Sequence, residues 1–177
     1  MRFFLLLSII ASILVLSANA AAVIKKRASP NVQTCINNIN DVTNQLNTLQ
    51  PTIESGGVID VNSKYNDLKN ALDSAQSNCC AINSVVSDAD ADEFLAALGQ
   101  AAPKIQSVLS AIATKQDSYN FLTKIVVRTH IHNLDQTTND LNTCFNIFTP
   151  SSKASILQGY YTNMQTAFKS TEAAYGM

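Results

Sequence analysis

VNSKYNDLKNALDSAQSNCCAINSVV, residues 61–86, decides the fold class. Val61, Tyr65, Leu68, Leu72, Ala75, Cys79, Ile82 and Val86 recur at alternating steps of four and three. That spacing lays one apolar stripe along an α-helix, and it predicts a helix over residues 60–86. The stretch also holds two adjacent cysteines, Cys79 and Cys80. Neighbours on a helix point about 100° apart, so the pair faces two different partners.

The same period continues on both sides. Upstream, residues 31–50 place Val32, Cys35, Ile36, Ile39, Val42, Leu46 and Leu49 on one face, with Pro51 and Gly56-Gly57 as stop signals. Downstream, Ser87 or Asp88 can cap a third helix, and Asp90, Asp92 and Glu93 suit its positive end. Its apolar face is Phe94, Leu95, Leu98, Ala102, Ile105, Val108, Leu109 and Ile112. Gly99 and Pro103 predict a kink there, or a break into two helices. Residues 118–148 carry a fourth stripe of Val127, Ile131, Leu134, Thr138, Leu141, Phe145 and Phe148. Pro150 breaks the chain, and residues 152–174 point Ile156, Leu157, Tyr160, Met164, Ala167 and Phe168 inward. No strand pattern occurs. The expectation is all-α: an antiparallel helical bundle of four to five helices, stapled by disulfides, in a single domain over residues 28–177.

Residues 1–20 have the layout of a secretory signal peptide: Arg2, an apolar run over residues 3–16, and Ala18-Asn19-Ala20. The run is too short for a membrane span, so no transmembrane anchor is expected. Lys26-Arg27 reads as a dibasic processing site, making residues 21–27 a propeptide. Losing Arg2, Lys25, Lys26 and Arg27 takes the 12 basic side chains to 8 against 13 acidic ones, a net charge of −5. That balance argues against nucleic acid and against anionic membranes as partners. No Asn-x-Ser/Thr sequon and no hydrophobic C-terminal tail occur. The expected location is extracellular or cell-wall-associated, with any retention non-covalent.

All four cysteines, Cys35, Cys79, Cys80 and Cys144, fall within residues 28–177, which favours two disulfides in a secreted chain. A zinc site is disfavoured: no Cys-x-x-Cys pair occurs, and His130 and His132 are the only histidines. In an up-and-down bundle the four cysteines fall toward one end. Cys35 is then expected to pair with one of Cys79 and Cys80, and Cys144 with the other; which takes which stays open. Each bridge closes more than 40 residues and contributes about 3–4 kcal/mol through the unfolded state.

No catalytic constellation stands out. A Gly-x-Ser-x-Gly elbow is missing, and the glycines are scattered rather than gathered in a phosphate loop. His130 and His132, two apart, diverge on a helix and cannot share a metal. Asp88, Asp90 and Asp92 match the start of a calcium loop, but its sixth and twelfth positions would be Glu93 and Gly99 rather than Gly and Glu. No metal, no cofactor and no enzyme activity are expected. What remains is an apolar excess over residues 94–113, FLAALGQAAPKIQSVLSAIA. The favoured reading is a central helix touched on several sides. The sharper reading is that Ala96, Ala97, Ala101 and Ala102 leave room for an apolar ligand between helices.

The signal peptide, the dibasic site, the helix opening INNINDVTNQLNTL, the segment SYNFLTKIVVRTHIHNLDQTTNDLNTCFNIFTPSSK and the ending MQTAFKSTEAAY together carry a resemblance. The rhythm Leu134, Thr138, Leu141, Pro150, Ala167-Phe168 and Ala173-Ala174-Tyr175 belongs to it. The chain resembles the fungal hydrophobic surface binding protein A family, which includes cell wall galactomannoproteins. Many relatives lack the cysteines. The resemblance implies a secreted, non-enzymatic helical bundle. Some members adsorb to hydrophobic surfaces and help recruit secreted polyester-degrading enzymes; others hold fatty acids in an apolar cavity between helices. On that basis the candidate lipid-lining residues are Leu68, Leu72, Phe94, Leu98, Ile105, Leu109, Ile112 and Phe121. The alternative is a secreted helical-bundle effector or enzyme inhibitor acting by protein–protein binding. The plant pectin methylesterase and invertase inhibitors are such four-cysteine bundles, but their closely spaced N-terminal cysteine pair is missing here.

Overall fold

Each apolar stripe becomes one helix. The computed structural model describes residues 28–177, so the signal peptide and the dibasic site lie outside the described residues. The helices are α1 (Pro30–Ser55), α2 (Val58–Cys80), α3 (Asp88–Thr114), α4 (Phe121–Phe148) and α5 (Ala154–Ala174). Short 3-10 turns at Gln116–Ser118 and Ser151–Lys153 lead into α4 and α5, and no strand occurs among the described residues. Ser87 caps α3 by accepting the Asp90 N–H at 3.1 Å, and Asn120 caps α4 by accepting the Thr123 N–H at 2.9 Å. At the far end of α5, Gly176 takes φ +68°. There the Gly176 N–H bonds the Ala173 carbonyl and the Met177 N–H bonds the Glu172 carbonyl. These two bonds make a Schellman ending, for which glycine is the unstrained residue.

Several boundaries differ from the sequence reading. Pro51 does not end α1, which continues to Ser55. Proline in a helix interior costs about 3 kcal/mol, yet burial of Leu49 and Ile53 on either side of it holds the last turn in place. Gly99 and Pro103 do not split α3, because Leu98, Ala101, Ala102 and Val108 are buried around them. Gly99 has a packing reason: a Cβ there would come within 2.6 Å of the Tyr160 hydroxyl. Helix α2 stops at Cys80, six residues before its stripe ends. Ile82 is still buried, and the Val86 N–H bonds the Phe148 carbonyl at 2.9 Å, so the periodicity overran into a packed loop. Ile156 is exposed, and Leu157 takes the buried position beside it.

Consecutive helices run antiparallel, but sequence order is not spatial order. The principal contacts close a ring: α1 against α2, α2 against α4, α4 against α5, α5 against α3, and α3 against α1. Three of these five pairs are parallel. Gln76–Asp140 and Asn62–His130 match α2 to α4 in register, while Ser29–Asp90 and Thr171–Leu109 do so for α3 with α1 and α5. The central-helix reading of α3 is therefore corrected. Among the described residues no helix lies at the centre, and the apolar excess of α3 faces two neighbours and the axis of the ring.

One pole is clamped. Cys35 pairs with Cys79, and Cys80 with Cys144, so α1, α2 and α4 are covalently joined. The two cysteines at 79 and 80 do diverge to different helices. Phe94, Phe145 and Phe148 pack edge to face at 4.8–5.8 Å at the same pole. Asp88, Asp90 and Asp92, the calcium-like run, are spent on chain ties: the Ser152 hydroxyl at 2.7 Å, the Ser29 N–H at 3.2 Å and the Lys153 ammonium at 2.6 Å. No cluster of metal-ligating side chains occurs among the described residues.

Candidate functional site

A ring of five stripes must fill its own axis, and here the filling is imperfect. Three small voids follow one another from the clamped pole to the opposite pole. The first, about 40 Å³, is lined from all five helices, by Ile39, Val42, Leu72, Ala75, Leu98, Ala101, Ile105, Thr138, Leu141, Asn142, Phe145, Leu157, Tyr161 and Met164. The second, about 20 Å³, shares Val42, Leu72, Ile105 and Thr138 with it and adds Leu46, Leu68, Val108, Leu109, Leu134 and Phe168. The third, about 30 Å³, shares Leu134 with the second and adds Leu49, Ile53, Val61, Tyr65, Ile112, Tyr119, Val127, His130 and Ile131. Shared walls make the three a single broken seam.

The lining is almost wholly apolar. Thr138 satisfies its hydroxyl on the Leu134 carbonyl at 2.8 Å, so it presents little polarity. Three polar atoms along the seam lack a partner: Asn142 Oδ1 at the first void, and Tyr65 Oη and His130 Nδ1 at the third. His130 stacks on Tyr65 with ring centroids 3.5 Å apart, and its Nε2 lies 3.2 Å from Asn62 Oδ1. Burial holds the imidazole below its usual pKa and pushes the Tyr119 phenol above its own.

Of the residues singled out in the sequence, Leu68, Leu72, Leu98, Ile105, Leu109 and Ile112 line these voids. Phe94 and Phe121 do not. Phe94 is fully buried in the aromatic cluster, and Phe121, 75 % exposed, stands on the surface at the start of α4. The α1, α4 and α5 walls were missed. The apolar excess in the sequence drew attention to α3, whereas a ring without a central helix draws its lining from every stripe.

Phe121 has company. Leu122, Ile125 and Val126 on α4, and Val58 and Ile59 at the start of α2, are also exposed. The Cys80–Cys144 and Gln76–Asp140 pairs, 64 residues apart, and Asn62–His130, 68 apart, set the parallel register of α2 and α4. That register brings both helix starts to the unclamped pole. Surfaces seldom gather six large apolar side chains at one end without use.

The family model for hydrophobic surface binding protein A matches residues 32–145. The chain belongs to this family. Solved structures agree in fold. Afmp4p in complex with palmitic acid superposes with a TM-score of 0.74 at 20 % identity, over 81 % of this chain and 99 % of that one. Ligand binding domain 1 of the Penicillium marneffei MP1 protein, complexed with arachidonic acids, gives 0.74 at 11 % identity over 83 % and 99 %. Domain 2 of the same protein, also in complex with arachidonic acids, gives 0.72 at 18 % over 85 % and 95 %. At these identities the likeness is one of fold. Among curated proteins no sequence match is found. No helix among the described residues is long and apolar enough to cross a membrane.

Proposed function

We propose that this family member is a secreted, non-enzymatic carrier that takes a fatty-acid-type chain along the axis of its helical ring. The observation that carries the reading is the broken apolar seam itself: three voids in line, with shared walls, lined from all five helices. Small apolar voids are not hydrated and are ready to accept hydrocarbon. Sites for small ligands span roughly 300–1,000 Å³, so binding requires the ring to swell. Swelling falls to α3 and α5, which no disulfide ties. The palmitic and arachidonic acids in the neighbours of like fold support the same ligand class.

Adsorption to apolar surfaces, and any recruitment of a secreted polyester-degrading enzyme to them, falls to the exposed side chains of the unclamped pole. Lipid extraction and native mass spectrometry of the gently purified protein test the carrier reading. A co-purified fatty acid, displaced or weakened about tenfold by Ala101→Leu in the first void, is the expected result. A clean unliganded mass and no uptake of added palmitic acid would refute it.

A further inference from the structure

The seam is apolar except at two places, and they are unequal. At the first void Asn142 offers a single unpartnered oxygen. At the third void two aromatic rings meet, each with an unpartnered polar atom: Tyr65 Oη and His130 Nδ1. Tyr65 is only 5 % exposed, so its hydroxyl has no ready access to water. Burying an unpaired hydroxyl costs about 1–3 kcal/mol, and a fold with apolar alternatives at that position would ordinarily avoid it.

The bonding at His130 defines what is missing. Asn62 Oδ1 is an acceptor, so Nε2 carries the hydrogen and donates to it. In the neutral ring Nδ1 is then a bare acceptor. The hydroxyl of Tyr65, whose ring stacks on this one, has a hydrogen to donate. One acceptor and one donor, on rings stacked 3.5 Å apart, complement one chemical group closely. A carboxylic acid donates its O–H to Nδ1 and accepts the Tyr65 hydroxyl at its carbonyl. With the proton on the ring instead, the same two contacts become imidazolium to carboxylate, and the total of protons is unchanged.

We infer that Tyr65 and His130 form the headgroup site of the seam, holding the carboxyl of a fatty acid at the unclamped pole with its chain running toward the disulfides. This rests on the reading that the axis takes such a chain, and adds the direction in which it lies. The direction suits access: the carboxyl end remains next to the pole that no bridge closes, and hydrocarbon fills the voids lined by Leu, Ile, Val and Ala.

Competitive displacement of a fluorescent apolar probe by palmitic acid and by methyl palmitate, on the whole secreted protein, separates the possibilities. The ester lacks the donated hydrogen but keeps the chain. The unaltered protein is expected to prefer the acid about tenfold, as one to two good hydrogen bonds allow. His130→Phe should cut that preference to about threefold or less, because it removes the acceptor that only the acid's O–H can use, whereas Tyr65→Phe should weaken acid and ester alike, because both keep the carbonyl that its hydroxyl serves. A shift of the carboxyl carbon signal of labelled palmitic acid between the unaltered protein and Tyr65→Phe gives a second readout. Equal binding of acid and ester by the unaltered protein overturns the headgroup site yet leaves the carrier reading standing. Loss of the preference in Asn142→Leu, but not in His130→Phe, overturns it by placing the carboxyl at the other pole. Binding of neither ligand brings down the carrier reading and the headgroup site together.

Discussion

At one pole of the ring two disulfides join three helices, three phenylalanines interlock edge to face, and three aspartates at the start of α3 tie down the segments that lead into α1 and α5. At the other pole the ties are single. The Lys115 ammonium donates to the Glu54 carbonyl at 2.7 Å, Arg128 to the Tyr175 carbonyl, and the Tyr175 hydroxyl to the Ile112 carbonyl at 3.1 Å. Beside these ties lie the unpartnered Tyr65 Oη and His130 Nδ1 and the exposed side chains of α2 and α4. Both poles are made from the same five stripes. The difference teaches where such a molecule can yield: a ring clamped at one end opens at the other.

The largest effects should come from the clamp. Removing either bridge, by Cys35→Ala with Cys79→Ala or by Cys80→Ala with Cys144→Ala, should cost about 4 kcal/mol in denaturant unfolding, since the loops closed are 44 and 64 residues long. A loss under about 1 kcal/mol would break the contrast between the poles. Next comes a matched pair of truncations. Phe94→Ala should cost about 3–5 kcal/mol, and Phe121→Ala no more than about 0.5, because one ring is fully buried and the other stands in water. Phe121→Ala should instead lower adsorption to an apolar bead surface, measured by depletion from solution.

A smaller effect sharpens the comparison from the other side. Pro51→Ala restores an N–H for the Asn47 carbonyl in the α1 turn at the open pole, and should raise stability by about 1–2 kcal/mol. Amide exchange should slow there and stay unchanged near Cys35. The smallest effect is one of pH. Burial depresses the His130 pKa below 6.5, and its neighbours are Tyr65, which stacks on it, and Asn62, which bonds it. Between the depressed value and 6.5 the unfolded chain binds more protons, so stability is full above pH 6.5 and falls as the pH drops below it. His130→Phe should flatten that slope in melting curves recorded across the interval.

Much of this was legible in the stripes. The four-three spacing around Leu68 and Leu72, and around Leu134 and Leu141, marks helices because burial repeats with the helix period. Divergent cysteines at 79 and 80 require two partners because 100° separates them. The spacing could not show that α2 ends at Cys80, since a packed loop can carry Ile82 and Val86 inward with no helical turn beneath them. Nor could it separate wall from core. Leu98 and Phe94 are equally apolar and four residues apart, yet one faces a void and the other a ring cluster. Phe121 was misplaced because an apolar residue at a helix start looks alike whether it meets a neighbour or water.

By itself the sequence determined the helical class, the inward face of each stripe, and the pole at which sulfur would gather, because each follows from local geometry along one chain. Only the tertiary structure decided the ring order α1, α2, α4, α5, α3, the choice of Cys79 for Cys35, and the meeting of Tyr65 with His130 at the end of an apolar seam. Those depend on how five stripes divide a common axis. That division is set by side-chain volumes meeting across space, and no spacing along the chain records it.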